Sequence, residues 1–253
     1  MNLTELTRFL DSTLEISDFA SADPSLNGLQ VGDPNDRSQI EKVAFAVDAC
    51  MDTFTAAAAA GAQLLVVHHG LFWSKSPLTG TMFERVDFLL KHRMALYACH
   101  LPLDAHGVYG NNASIAKAIG LENLEGFCRF RGRTVGFKGM LPRALTSKEI
   151  VSLLGLEDSL RLSLDFGPEK CSRVGVLSGR MEVVDLSEAI DQGLDLLITG
   201  EPIHEMYHYC REAALNVLCL GHYATETFGV RSLQSLLGSM GLQTAFVDVP
   251  TGL

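Results

Sequence analysis

The sequence contains no C-x-x-C pair; its six cysteines stand apart at positions 50, 99, 128, 171, 210 and 219. In a chain of 253 residues that scatter argues against a disulfide framework and against a thiolate zinc knuckle. Cys99 and Cys219 lie in apolar runs, where cysteine acts as a small hydrophobe, so reduced structural thiols are expected. Positive charge is also scarce: 20 Lys and Arg stand against 30 Asp and Glu, for a net charge of −10. That removes the whole-chain basic footprint of a nucleic-acid or anionic-membrane binder, although a local patch stays open. No apolar run reaches the roughly 18 residues of a membrane helix, since the longest candidate, 56–67, is interrupted by Gly61 and Gln63. The first ten residues lack a basic start and an apolar stretch, so no secretory leader and a soluble, cytoplasmic protein are expected. A P-loop and a Gly-rich phosphate fingerprint are missing too. What is present is core: 47% hydrophobic and 20% charged residues, enough for one large or two small domains.

The pattern along the chain is α/β. Leu3, Leu6, Phe9, Leu10 and Leu14 recur at helical spacing, and the turn-rich Asn27-Gly-Leu-Gln-Val-Gly-Asp-Pro follows. Lys42-Val-Ala-Phe-Ala-Val-Asp reads as a strand, 53–60 as an alanine-rich helix stopped by Gly61, and Leu64-Leu-Val-Val as a buried parallel strand. A helix over 82–92 then leads to the strand Ala95-Leu-Tyr-Ala-Cys. The second half repeats this unit. Residues 60–67 align with Gln192-Gly-Leu-Asp-Leu-Leu-Ile-Thr at an offset of 132, and Arg173-Val-Gly-Val-Leu-Ser matches the strand at Lys42. Between the halves, Arg129-Phe-Arg-Gly-Arg-Thr-Val-Gly-Phe-Lys-Gly alternates and reads as a basic strand, and Thr146-Ser-Lys-Glu opens a capped helix. Residues 243–249 read as a last strand returning to the first half. The expected division is 1–125 plus 222–253 for one lobe and 126–221 for the other.

Four of the eight histidines, His68, His69, His100 and His222, stand at the C-terminal ends of apolar strands. In α/β sheets that edge is where side chains leave the core for a ligand crevice. Asp104 follows His100 by four residues and Glu226 follows His222 by four, a spacing that puts imidazole and carboxylate on one helix face if residue 222 opens a helix. A histidine after a strand also serves as a hydrogen-bonded loop residue, and an acid near a helix start as a cap. Read as ligands, imidazole plus carboxylate suits Zn, Fe, Mn, Co or Ni alike. Such a set exceeds what a single catalytic zinc takes and favours two metals. Adjacent His68 and His69 would point to opposite faces of a regular strand, so both reach one centre only where the strand has ended, which Gly70 permits. A competing pattern, His204-Glu205-Met206-Tyr207-His208, fits the H-E-x-x-H helix of zinc proteases. It would take Glu226 as third ligand and leave His68, His69 and Asp104 unexplained.

Six blocks carry a resemblance: Asn27-Gly-Leu-Gln-Val-Gly, Val67-His-His-Gly-Leu-Phe-Trp, Cys99-His-Leu-Pro-Leu-Asp-Ala-His, Gly110-Asn-Asn, Thr199-Gly-Glu-Pro and Gly221-His-Tyr-Ala-Thr-Glu-Thr-Phe-Gly-Val. In order and content they resemble the dinuclear-metal-centre hexameric family, also called Ngg-interacting-factor-three-like, whose members are labelled GTP cyclohydrolase 1 type 2 homologs. The resemblance implies two similar α/β lobes with mixed sheets, a metal site in the cleft between them, and a toroidal homohexamer. It implies two divalent transition-metal ions per chain, with His68, His69, Asp104, His222 and Glu226 as ligands. His100 would be a ligand or would orient one. Gly70 stands where many members have proline, and the chain is similar to the short form without an inserted domain.

The function this implies is a dinuclear-metal-dependent hydrolase that opens the imidazole ring of a purine nucleotide such as GTP, with loss of formate. His100 and Glu226 are then the catalytic candidates, His100 as a proton shuttle. Arg129, Arg131 and Arg133 are the nearest candidates for a triphosphate, although they also read as a solvated strand face. The alternative is a non-catalytic metal-binding ring, metal chaperone or regulatory scaffold. A ring that threads nucleic acid would need a positive cavity, against which the net charge weighs.

Overall fold

Helix α1 (Leu3–Thr13) starts on Asn2, whose side chain accepts from the Glu5 amide at 3.0 Å while the Glu5 carboxylate accepts from the Asn2 amide at 3.0 Å. This reciprocal cap satisfies two of the donors a helix start leaves open, and the Leu3, Leu6 and Leu10 stripe is buried. The computed structural model describes residues 1–75 and 77–253. After α1 come β1 (Gly28–Val31), β2 (Lys42–Asp48), α2 (Met51–Ala59), β3 (Leu64–His69), α3 (Gly80–Lys91), β4 (Ala95–Ala98), and the short α4 (Leu101–Ala105). The chain continues through α5 (Asn111–Ala118), β5 (Glu122–Phe130), β6 (Arg133–Leu145), α6 (Ser147–Leu154) and β7 (Leu162–Asp165). It ends with β8 (Cys171–Leu177), α7 (Val183–Asp191), β9 (Leu196–Thr199), α8 (Met206–Ala213), β10 (Asn216–Cys219), α9 (His222–Ser239) and β11 (Gln243–Phe246).

Two sheets result, each mixed. The first has the order β1-β4-β3-β2-β11, with β4, β3, β2 and β11 parallel and β1 antiparallel to β4. The second has the order β5-β6-β8-β9-β10-β7, with β8, β9 and β10 parallel and β7 antiparallel to β10. The run β1-β2-α2-β3-α3-β4 and the run β7-β8-α7-β9-α8-β10 therefore share one topology. The inner strands are continuous apolar runs because both faces are covered. Leu65, Val67 and Leu96 pack with Phe54 and Leu89 in the first core, and Val174, Val176, Leu196, Ile198 and Leu218 pack with Ile115 and Ile150 in the second. Each such side chain contributes about 1.5–3 kcal/mol by leaving water.

Strand β11 pairs with β2 in parallel, so the last strand does return to the first half. The basic stretch at 129–139 is not one strand. Residues Arg131 (φ 46°) and Gly132 (φ 84°) form a tight turn between β5 and β6, whose ends pair through Phe130 and Arg133. Both residues carry positive φ, as a two-residue hairpin with the right twist requires. The compact units run Met1–Leu103 with Val230–Val249, and Asp104–Gly229 with Pro250–Leu253, against the sequence expectation of divisions at 125 and 222. Helix α5 goes with the second unit because its Ile115, Ala116 and Ile119 sit in that core.

Candidate metal centre

In the first unit three imidazoles gather at the C-terminal edge of the parallel strands. His68 is fully buried, and its Nδ1–H donates to the Cys99 carbonyl at 2.9 Å. A carbonyl can only accept, so Nδ1 carries the proton. His69 holds Nδ1 at 2.8 Å from the Asp48 carboxylate, and His100 holds Nδ1 at 2.9 Å from the Asp23 carboxylate. Ring centroids lie 4.6 Å apart for His68 and His69, 5.1 Å for His68 and His100, and 5.6 Å for His69 and His100. One ligand atom from each falls within 4.8 Å of the others, so the three can share an ion.

Contrary to the sequence expectation, β3 has not ended here: both histidines belong to it, and His69 still pairs with Asp48 of β2. The rings converge because each is drawn to a different neighbour, His68 toward the end of β4 and His69 toward β2. Asp23 is the anchor of His100. It also accepts from the Ser25 and Leu101 amides at 2.9 Å each and from the Asn27 side chain at 2.8 Å. Burial pushes its carboxyl up, yet His100, the Asn27 side chain and the Ser25 amide outweigh that and hold it below the ordinary value of 3.8.

In the second unit α9 begins on His222, and Glu226 lies one turn on, as the spacing requires. His222 Nε2 is 3.0 Å from Glu226 Oε1, and its Nδ1 is 2.6 Å from Glu201 Oε1. Burial lowers the pKa of this ring, but the two carboxylates overcome it and raise it to about 9. Gly179 (φ 65°) makes room for this pair, because a side chain there would run into Glu226. Asp104 opens this unit and is buried; its Oδ1 accepts from Asn111 Nδ2 at 2.9 Å and from Ser178 Oγ at 3.1 Å. Asn112 ties the same corner together, with its Oδ1 accepting from the Ser178 amide at 2.6 Å.

His68, His69 and His100 are thus brought together in one unit, and His222 is paired with Glu226 in the other, where Asp104 is held by its own partners. Asp23, Asp48 and Glu201 belong to these constellations without having been singled out by the sequence. Signals were present for Asp48, which ends β2 on the edge that carries His69, and for Glu201, which stands in the Thr199-Gly-Glu-Pro block. The protease pattern comes apart: α8 starts at Met206, so His204 and Glu205 precede it, and both His204 and His208 are exposed. Neither belongs to a metal-competent group among the described residues. Arg129, Arg131 and Arg133 lie exposed around the β5–β6 turn, with Arg131 over the Phe130 ring at 5.2 Å.

The donor chemistry fits divalent transition metals. In all four imidazoles Nδ1 is bound to a protein oxygen, which fixes the ring orientation, as in histidines that ligate metal.

The model of the Duf34/NIF3 (NGG1p interacting factor 3) family matches residues 1–251. The chain is 46% identical over 255 residues to the GTP cyclohydrolase 1 type 2 homolog of Archaeoglobus fulgidus, with 100% of both chains covered. It is 40% identical over 289 residues to the protein of the same name from Treponema pallidum, again over 100% of both. Among solved structures it is similar to TTHA1606 from Thermus thermophilus, at 38% identity and a TM-score of 0.86 over 100% of both chains.

Proposed function

This chain belongs to the Duf34/NIF3 family, and on that footing we propose that it is a dinuclear-metal-dependent hydrolase that opens the imidazole ring of a purine nucleotide such as GTP. The observation that supports this best is the anchoring of four strand-end imidazoles through Nδ1, the arrangement that orients Nε2 of a metal-ligating histidine. His68, His69, Asp104, His222 and Glu226 are the proposed ligands of two divalent ions. Such ions supply Lewis acidity, which lowers the pKa of water and polarises a substrate oxygen or ring nitrogen.

The remaining work falls to the chain. Asn111 and Ser178 fix the Asp104 carboxylate so that its charge is presented in one orientation. Glu226, bonded to His222, brings its negative charge into a buried position. His100, with Nδ1–H held by the ionised Asp23, moves a proton at Nε2, and Asp23 stabilises the imidazolium that forms. The same reading carries a homohexamer as its assembly.

The test is metal content of untagged protein, for wild type and for His68→Ala/His69→Ala, followed by incubation with GTP and assay of formate. About two transition-metal ions per chain, lost in the double variant while the fold survives, together with formate release that follows metal loading, is the expected result. Metal retained in the double variant removes the proposed centre. Metal without turnover of GTP puts a non-catalytic metal-binding scaffold or chaperone in its place.

A further inference from the structure

Trp73, the single tryptophan of the chain, follows His69 by four residues. Its indole N–H donates to the Gly70 carbonyl at 2.9 Å. The ring centroid lies 5.8 Å from His69 and 4.8 Å from His100, at 71° to the latter. The loop that carries it is tied to the segment before and within β1. Gln30 Oε1 accepts from the Leu71 amide at 2.7 Å, Gln30 Nε2 donates to the Leu26 carbonyl at 2.7 Å, and the Leu26 amide donates to the Phe72 carbonyl at 2.8 Å. At Gly70 a side chain would collide with the Gln30 amide and the Ala98 methyl, so the segment that carries the indole packs closely against Gln30 and the end of β4.

The ring is therefore fixed, yet 37% of the residue's surface is open to solvent. Keeping a large aromatic partly wet forfeits the burial that usually rewards tryptophan. An immobilised, open aromatic surface next to reactive side chains is how proteins receive flat rings, since stacking needs only a π-face and little ordering on binding.

We propose that Trp73 is a specificity-determining residue, the platform on which the planar heteroaromatic ring of the substrate, a purine base, stacks beside His69 and His100. This deepens the hydrolase reading and rests on it for the purine. An indole wall selects a flat ring and contributes nothing toward a bare phosphate chain, so base and triphosphate should respond differently to its removal.

The experiment follows the intrinsic fluorescence of Trp73 during titration with GTP and, separately, with inorganic tripolyphosphate. Equilibrium dialysis of GTP against wild type, Trp73→Phe and Trp73→Ala accompanies it, with metal content measured on each sample. GTP should quench the fluorescence and tripolyphosphate should not. Trp73→Ala should weaken GTP binding about ten-fold or more, and Trp73→Phe should keep it within about three-fold of wild type, with metal content unchanged in both. Equal GTP binding by wild type and Trp73→Ala, a Phe variant as weak as the Ala variant, or no GTP binding by wild type overturns the proposal. Metal content separates the two readings. A metal-free wild type whose GTP binding still depends on Trp73 supports the platform while removing the hydrolase, and a metal-loaded wild type indifferent to Trp73 removes the platform alone.

Discussion

Glu201 shows how a single residue tunes this chemistry. It stands in Thr199-Gly-Glu-Pro, one of the blocks that carry the family resemblance, and its Oε1 lies 2.6 Å from Nδ1 of His222. Burial alone would lower the pKa of that ring, and Glu201 and Glu226 together bring it to about 9. Replacing Glu201 by Gln keeps an acceptor in place and removes the charge that makes the imidazole a better donor. Partners of this kind are worth about 10- to 100-fold in metal affinity, so Glu201→Gln should weaken metal binding by that order while leaving the fold intact. Competition with a chelator of known affinity measures it, and an unchanged affinity would show that Glu201 plays no part. The histidines themselves were legible because apolar runs end abruptly on them. Their anchors were not, since hydrogen bonds that join Asp48 to His69 across 21 residues and Asp23 to His100 across 77 leave no trace in local spacing.

Strand and helix patterns were read where burial imposes a period, and missed where a turn broke the rule for its residues. The inner parallel strands announced themselves as short unbroken apolar runs, and α9 followed from its start at His222. The β5–β6 hairpin stayed hidden because alternation continues through Arg131 and Gly132 and arginine is not an expected turn residue. Strand β9 carries a testable feature of its own at its entry. The Asp195 carboxylate accepts from the Ser172 and Arg173 amides at 2.9 Å each and from the Arg173 guanidinium at 3.0 Å, joining β9 to β8. Burial opposes ionisation there, but these donors win and the carboxyl sits below its ordinary 3.8. A depressed folded value means stabilisation that is complete above the unfolded value and lost as pH falls through the folded one. Asp195→Asn should accordingly be less stable than wild type near neutrality, and the gap should close as pH drops below about 4. Urea unfolding across that range tests it; a gap constant with pH would mean that charge at Asp195 contributes nothing.

At the scale of the whole molecule, the repeat of one strand-helix topology in both sheets was visible as the offset of 132, whereas the bounds of the two compact units were not. Two of the three crossings fall inside helices, between Leu103 and Asp104 in α4 and between Gly229 and Val230 in α9, and the third, between Val249 and Pro250, follows β11. A helix that passes from one unit to the other needs no glycine, proline or polar linker, so composition marks no boundary. The five proposed ligands, His68, His69, Asp104, His222 and Glu226, lie far apart along the chain. Ions held by side chains so distant in sequence bind the folded chain and not the unfolded one, and folding is then linked to their concentration. At a hundred-fold excess over the dissociation constant the linkage is worth about 2.7 kcal/mol. For a chain of this length each kcal/mol moves the melting temperature by about 2–4 °C, so loading the chelator-treated protein should raise it by roughly 5–11 °C. His68→Ala/His69→Ala should abolish the shift, because it removes two donors while leaving exposed His204 and His208 untouched. A shift of equal size in that variant would place the ion on such surface histidines, and a wild type whose melting is indifferent to zinc, manganese and iron would leave the anchored imidazoles as structural hydrogen-bonding groups.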